Sequence, residues 1–466
     1  MADNYQVAFY VTGYNSDYGH GVGIDDVKIT YTAPSINYSE WINKPDVTSP
    51  LAITGLTPST NYEWQVQGVN CDGNGGTTDW SAPATFTTLQ GYDKPIKHYT
   101  SSSDGWYLIA SPIGQVDPEN VVNMKSNTYD LFSFDQAQEN EWQNFKQGHF
   151  SNLEPGYGYL YANKENVTLT FTGSAFTGEG TFPLVYSVGN PDAFMHGWNL
   201  MGNPYAESAT VSRAYYTLNG DFAYEFVASE NDIEPVEPME GIFVHVTAEG
   251  QTVTFTPVSQ QQSGEGKGSS LILNVNKGGK FVDRAIISFG QGGTLPKFQF
   301  DRNHTKVYIP QDGQDYAIVR SEEMGEMPVN FKAENSGTYS LSFSSRNAEF
   351  AYLHLIDNMT GKDIDLLQTQ SYSFEARTTD YESRFKLVFA TGDNSKDDNF
   401  AFFSNGSFII NNEGEATLQV IDVTGRILKS ASINGCTNVN VNAASGIYML
   451  RLINGDNVKV QKVVVK

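Results

Sequence analysis

The chain has 466 residues, room for about three domains, and its 29 basic and 53 acidic side chains give a net charge of −24 at pH 7. That balance argues against nucleic acid, whose phosphates need a basic surface, and against adsorption to anionic membranes. No run approaches the ~20 apolar residues of a membrane span, and the only two cysteines, Cys71 and Cys436, exclude a disulfide framework and a cysteine-based zinc site.

Abundant Tyr and Phe (26 and 28), 43 Gly and a charged fraction of 18% favour β structure over long solvated helices. An all-β chain is expected, with several β-sandwich domains in series. Residues 1–33 read as two strands, Gln6 to Thr12 and Asp26 to Thr32, joined by a loop rich in Gly, Asp and Tyr. Two strands cannot bury a core, so the segment reads as the C-terminal remnant of a domain. Its Gly23-Ile24-Asp25-Asp26-Val27 ending resembles the last strand of jelly-roll domains of the cleaved-adhesin and MAM-like kind. Asp25 and Asp26 are the candidate metal ligands, with Ca²⁺ held by carboxylate and loop carbonyls. Neighbours on a strand point to opposite faces, so both can chelate only where the strand bulges or ends. The alternative for either residue is a turn-capping Asp.

Residues 34–89 carry Leu56-Thr57-Pro58-Ser59-Thr60-Asn61-Tyr62-Glu63-Trp64, followed by Trp80-Ser81 and Phe86-Thr87-Thr88. This resembles the E–F corner and last strands of a fibronectin type III domain, in which a Tyr hydroxyl returns to upstream backbone and locks the corner. The segment is short against the ~100 residues of a full immunoglobulin-like sandwich, which implies a partial domain.

Residues 97–258 contain an internal repeat. Gly105-Trp106-Tyr107-Leu108 echoes Gly197-Trp198-Asn199-Leu200, Gly156-Tyr157-Gly158-Tyr159-Leu160-Tyr161 echoes Met239-Glu240-Gly241-Ile242-Phe243-Val244, and Thr168 to Thr172 echoes Thr252 to Thr256. The order is kept at offsets of 92, 83 and 84. Two similar β units packed on each other are expected, with Trp106 and Trp198 in equivalent positions. Trp106, Trp142, Trp198, Tyr157, Tyr159 and Tyr161 suit either a carbohydrate platform or a core, and their apolar neighbours favour the core.

A Gln/Gly/Ser-rich linker at 259–269 precedes a stretch of alternating apolar and polar runs at 270–391, which reads as a β-sandwich. Gly392 to Asn399 is a second linker. Residues 400–466 form a last small β unit. In it Leu418 to Leu428 is strand, turn and strand, with Gly425 supplying the positive φ of the turn. Gly446 to Leu452 and Val458 to Lys466 close a hairpin. Its final strand is apolar with intervening lysines, as suits a protected edge.

The Asp422-Val423-Thr424-Gly425-Arg426 turn, the Gly446-Ile447-Tyr448 strand start and the Val-rich basic final strand resemble the type A C-terminal sorting domain of the type IX secretion system, found in Bacteroidetes. The resemblance implies a secreted or outer-membrane surface-attached protein whose partner is the type IX machinery. It assigns the sorting signal to Gly425, Gly446, Tyr448, Lys459, Lys462 and Lys466. Proteins of this class need an export signal, and Met1 to Gln6 has neither a basic n-region nor an apolar h-region. With the half domain at 1–33, this leads to the expectation that the chain is the C-terminal part of a longer precursor.

Catalytic constellations are not legible. None of the seven histidines lies three or four residues from another, and neither His-Glu-x-x-His nor Gly-x-Ser-x-Gly occurs. The expected function is a non-catalytic adhesin-like or interaction protein with host protein or glycan as ligand and no cofactor beyond calcium. The alternatives are the accessory tail of a secreted protease or glycosidase and, more weakly, a carbohydrate-binding module.

Overall fold

In a computed structural model the described residues are 5–7, 24–32, 42–45, 51–53, 56–68, 77–99, 105–124, 127–187, 195–218, 226–230, 234–260, 268–290, 293–298, 304–392 and 399–465, with backbone alone before Ile53 and at Phe226. They contain no α-helix. Strands follow one another from end to end, interrupted by three single-turn 3-10 segments, as the period-2 alternation and the Gly, Asn and Asp turns require. The chain divides into two compact units. One is built largely from Met1–Ala209 and Val236–Gln260, the other from Thr210–Asn219, Glu225–Pro235 and Gln261–Lys466.

In the first unit, strands Ile42–Pro45, Ile24–Thr32, Asn61–Gly68 and Ala84–Thr87 form one sheet in that order. Strand Ile24–Thr32, set apart by sequence reading in the 1–33 segment, thus pairs along its length with a strand of the 34–89 segment, Tyr31 opposite Tyr62. The corner expected at Tyr62 is formed. The buried Tyr62 ring stacks on Phe86 at 5.6 Å, and its hydroxyl accepts a 2.7 Å hydrogen bond from Thr57 N–H.

The Gly-Trp repeat is structural. Strand Trp106–Ala110 pairs antiparallel with Gly158–Asn163, and Trp198–Gly202 pairs with Gly241–His245. The registers correspond: Trp106 faces Ala162 as Trp198 faces His245, and Ala110 faces Gly158 as Gly202 faces Gly241. In each copy the closing strand (Val167–Thr172, Thr252–Pro257) pairs with the strand that leads the copy (Gly91–Ile96, Thr181–Pro183). The contacts between copies are reciprocal. A bridge joins Tyr157 to Met201, and its image under the repeat joins Glu240 to Ile109. Gly202 N–H donates to Gly156 O at 3.0 Å, and Ala110 N–H donates to Met239 O at 3.2 Å. Exchanging equivalent residues maps this interface onto itself, as in an isologous dimer. Ala110 and Gly202 meet at the pseudo-two-fold axis, so close that a Cβ on Gly202 would stand 2.4 Å from that of Ala110.

The second unit holds the sandwich. Its strands run in the order Lys362–Asp365, Phe350–Asp357, Phe385–Thr391, Met324–Lys332, Lys306–Gln311, Gln314–Ser321, Lys280–Phe289, Ser269–Lys277, Gly337–Arg346 and Ser371–Ala376. One contiguous core includes Leu273, Ile287, Leu341, Phe374, Phe385 and Leu387. Segments 210–219 and 225–235, inside the stretch read as the repeat domain, belong to this unit. Arg346 Nη2 donates to Glu234 Oε1 at 2.6 Å, Arg284 Nη1 to Ala228 O at 3.4 Å, and Tyr216 packs on Phe298 at 5.4 Å.

Candidate functional site

The terminal residues form a two-layer β unit. A three-stranded sheet (Ala401–Ser404, Ser407–Ile410, Thr437–Asn440) faces a four-stranded one ordered Ile427–Asn434, Glu415–Asp422, Gly446–Asn454, Asn457–Val465. Between them lie Phe408, Ile410, Leu418, Val420, Leu450 and Val463, all buried. Alternation along each strand, inward apolar and outward mixed, is what a small sandwich needs.

The residues assigned to the signal are placed as follows. Gly425 has φ +85°, in the turn between the first two strands of the four-stranded sheet. Asp422 organises that turn. Its Oδ1 accepts from Thr424 Oγ1 at 2.6 Å, Thr424 N–H at 2.9 Å and Arg426 N–H at 3.1 Å, and its Oδ2 accepts from Arg426 Nε at 3.0 Å. These donors, the Thr424 hydroxyl first, hold its pKa at about 2. Gly446 opens the third strand, and buried Tyr448 donates from its hydroxyl to Ala444 O at 2.8 Å. Lys459 is half-buried and Lys462 exposed on the edge strand Asn457–Val465, while Lys466 lies outside the described residues. The edge is partly covered by its own neighbour: Gln461 Oε1 accepts from Phe400 and Ala401 N–H at 2.7 and 2.6 Å, and Gln461 Nε2 donates to Ala401 O at 2.6 Å. The six signal residues therefore do not converge on one point. They build a turn, a strand start and an edge.

The outward side of the three-stranded sheet is occupied. Ile409 packs with Ile356 and Val388 of the sandwich, joined by Phe402, Tyr352 and Cys436, and Asn411 Nδ2 donates to Thr391 O at 2.8 Å. Burial pushes the Cys436 thiol up to about 11, which suits a packing residue and not a nucleophile. Sequence reading gave no sign of this joint. Gly392 to Asn399 reads as a linker, and nothing in its composition tells whether the flanking domains touch.

Elsewhere, Asp25 sits at a register shift between Ile24 and Asp26, the bulge that consecutive ligands require. The two carboxylates themselves lie outside the described side chains. Among the described residues no three His, Cys, Asp or Glu side chains gather as a metal site would need. Of the aromatic candidates, Tyr159, Tyr161 and Trp198 are buried, and half-buried Trp106 rests on Phe132 at 6.0 Å. Half-buried Trp142 packs edge-on to Phe134 and Phe243, while Tyr157 is exposed. Three of the six are thus core, the reading their apolar neighbours favoured, and two more are half-buried.

Residues 404–466 match the sequence model of the family described as the secretion system C-terminal sorting domain. No curated protein sequence matches the chain. A solved structure of a biofilm-associated protein, its BSP domain, aligns over 97% of this chain and 68% of its own at 11% identity and a TM-score of 0.14, a superposition that defines no shared fold. The sorting domain makes the chain a cargo of the type IX system, destined for secretion or attachment at the cell surface. No helix among the described residues is long and apolar enough to cross a membrane.

Proposed function

We propose that the chain is a non-catalytic, adhesin-like surface protein, in which the β units upstream of residue 400 meet host protein or glycan and residues 400–466 serve only as the export address. The match of residues 404–466 to the sorting domain carries the second half of this reading. The first half is supported by the use made of buried charge. Asp357 and Arg384 pair at 3.0 Å, and Lys297 and Asp283 at 2.6 Å. All four groups are buried on the sandwich strands and their connections, and each is committed to a structural partner. The terminal unit offers address features, a turn and an edge. Calcium at Asp25 and Asp26 belongs to the same reading, with the bulge as its support.

The test is binding of the purified chain to immobilised matrix proteins and a glycan panel, with and without Ca²⁺, beside hydrolysis assays on protein and glycan substrates. Saturable binding without turnover is expected. Turnover abolished by a single substitution overturns the reading.

A further inference from the structure

The bare sheet face of the terminal unit carries more information than its turn or its edge. Along the last strand, Val458, Val460, Lys462 and Val464 point away from the core, and the adjoining strand places Ile453, Arg451, Met449 and Ile447 opposite them. Four of these side chains are large, apolar and open to solvent: Ile447 (40% exposed), Val458 (42%), Val460 (52%) and Val464 (56%). Val423 in the turn and Ile427 on the far strand of the sheet are exposed as well. Half of the chain's exposed large hydrophobic residues among those described therefore fall in this one unit, whereas the others are scattered singly. Contiguous apolar surface of this kind marks an interaction site.

Two further observations say what covers it. The opposite outer face of the unit is already closed by the sandwich through Ile409, Ile356 and Val388, so the unit holds its cargo by one side and presents the other. Charge divides the same way. Residues 400–466 carry six basic and four acidic side chains, against 23 and 49 in the rest of the chain. Two of the six cations, Arg451 and Lys462, stand in the apolar face, cross-strand to Val460 and Met449.

Resting on the sorting reading, we propose that this face, centred on Ile447, Val458, Val460 and Val464 with Arg451 and Lys462, is the docking surface for a protein of the secretion apparatus that presents apolar side chains around carboxylates. A lipid surface fits less well. Juxtamembrane attraction is built from clusters of about 4–8 cations, and interfacial insertion uses Trp, Phe and Leu, whereas this face has two cations and short β-branched side chains. An acidic protein partner also explains selectivity, because the strongly anionic remainder of the cargo is repelled from the site that binds its tail.

The experiment uses the signal-bearing precursor in its native host, with surface and periplasmic fractions quantified for three variants. V460D/V464D places charge in the apolar patch, R451E/K462E reverses the cations without touching the core, and deletion of 404–466 is the control for the sorting reading. Protease resistance of the purified variants monitors folding. The expected result is at least a tenfold loss of surface protein for V460D/V464D and for the deletion, and a severalfold loss for R451E/K462E, which stays folded. Normal export of both folded double variants while the deletion is retained overturns the docking face and leaves the sorting reading intact. Normal export of the deletion overturns the sorting reading itself. Flotation of the wild-type chain with anionic vesicles, or a dimer in sedimentation lost in V460D/V464D, assigns the face to lipid or to a second copy and also overturns the proposal.

Discussion

The most consequential single contacts lie in the sandwich. Asp357 is fully buried. Its carboxylate accepts from Arg384 Nη2 and from the Tyr372 hydroxyl, both at 3.0 Å, while the guanidinium lies over Phe374 at 4.6 Å. Burial pushes the Asp357 pKa up, but the hydrogen bonds from Arg384 and Tyr372 and the guanidinium charge outweigh it and hold the carboxyl below its usual range. Removing one partner strands the other in a dry site, so D357N is expected to destabilise the sandwich by about 3–5 kcal/mol. Glu230 is the opposite case. Both of its oxygens are buried without a hydrogen-bond donor, Arg346 is 3.9 Å away, and burial raises its pKa despite the nearby Ser270 and Ser288 hydroxyls and Arg346. The signs follow from linkage. Stability from Asp357 is present above its unfolded pKa and lost as pH falls through the depressed folded value. Stability from Glu230 is complete below its unfolded pKa and lost as pH rises through the raised folded value. E230Q should therefore remove a decline that sets in as pH rises above the unfolded carboxyl value, and D357N one that sets in as pH falls below it. All six tryptophans precede residue 210, so hydrogen exchange of strands 269–391 against pH is the suitable measurement. Sequence reading saw one turn chemistry at Asp357 and Asp422. It could not see that Asp422 spends its oxygens on its own turn while Asp357 reaches Arg384, 27 residues on, because that partner is a product of packing.

Strands and their pairings were legible where the sequence repeats itself. The three blocks shared by residues 105–172 and 197–256 give matching registers, because a Gly where backbones meet and a Trp at a strand start have physical reasons to recur. The reciprocal interface was not legible, since a repeat does not say how its copies meet. It yields a sharp prediction. A Cβ at residue 202 would stand 2.4 Å from Ala110 Cβ and 2.8 Å from Tyr157 O, so G202A should cost about 1–3 kcal/mol by overpacking. Adding A110G should return part of that loss, since it removes one of the two clashes, a coupling that a double-mutant cycle reads. Tryptophan fluorescence in urea follows this unit alone. Additive effects of the two substitutions would contradict the axis at residues 110 and 202. The pairing of Ile24–Thr32 with Asn61–Gly68 was missed for a general reason. Period-2 alternation identifies a strand and its faces but not its neighbour, and the resemblances on either side of residue 33 placed the two strands in different domains.

At the level of the chain, the fold class and the export address were both readable, the first from composition and alternation, the second from the resemblance at its end. A ligand for the upstream units was not readable, because binding surfaces on β units are set by which outward side chains come together. Export of the chain depends on the terminal residues being the address. Lys459 to Val465 form most of the edge strand, and they supply Val463 and Val465 to the core and Gln461 to the Phe400 and Ala401 backbone. The measurement is cell fractionation of a signal-bearing precursor lacking Lys459 to Lys466 in its native host, with tryptophan fluorescence confirming that the first unit still folds. The truncated protein is expected to accumulate in the periplasm, while its presence at the cell surface at the level of the full-length precursor would contradict the assignment.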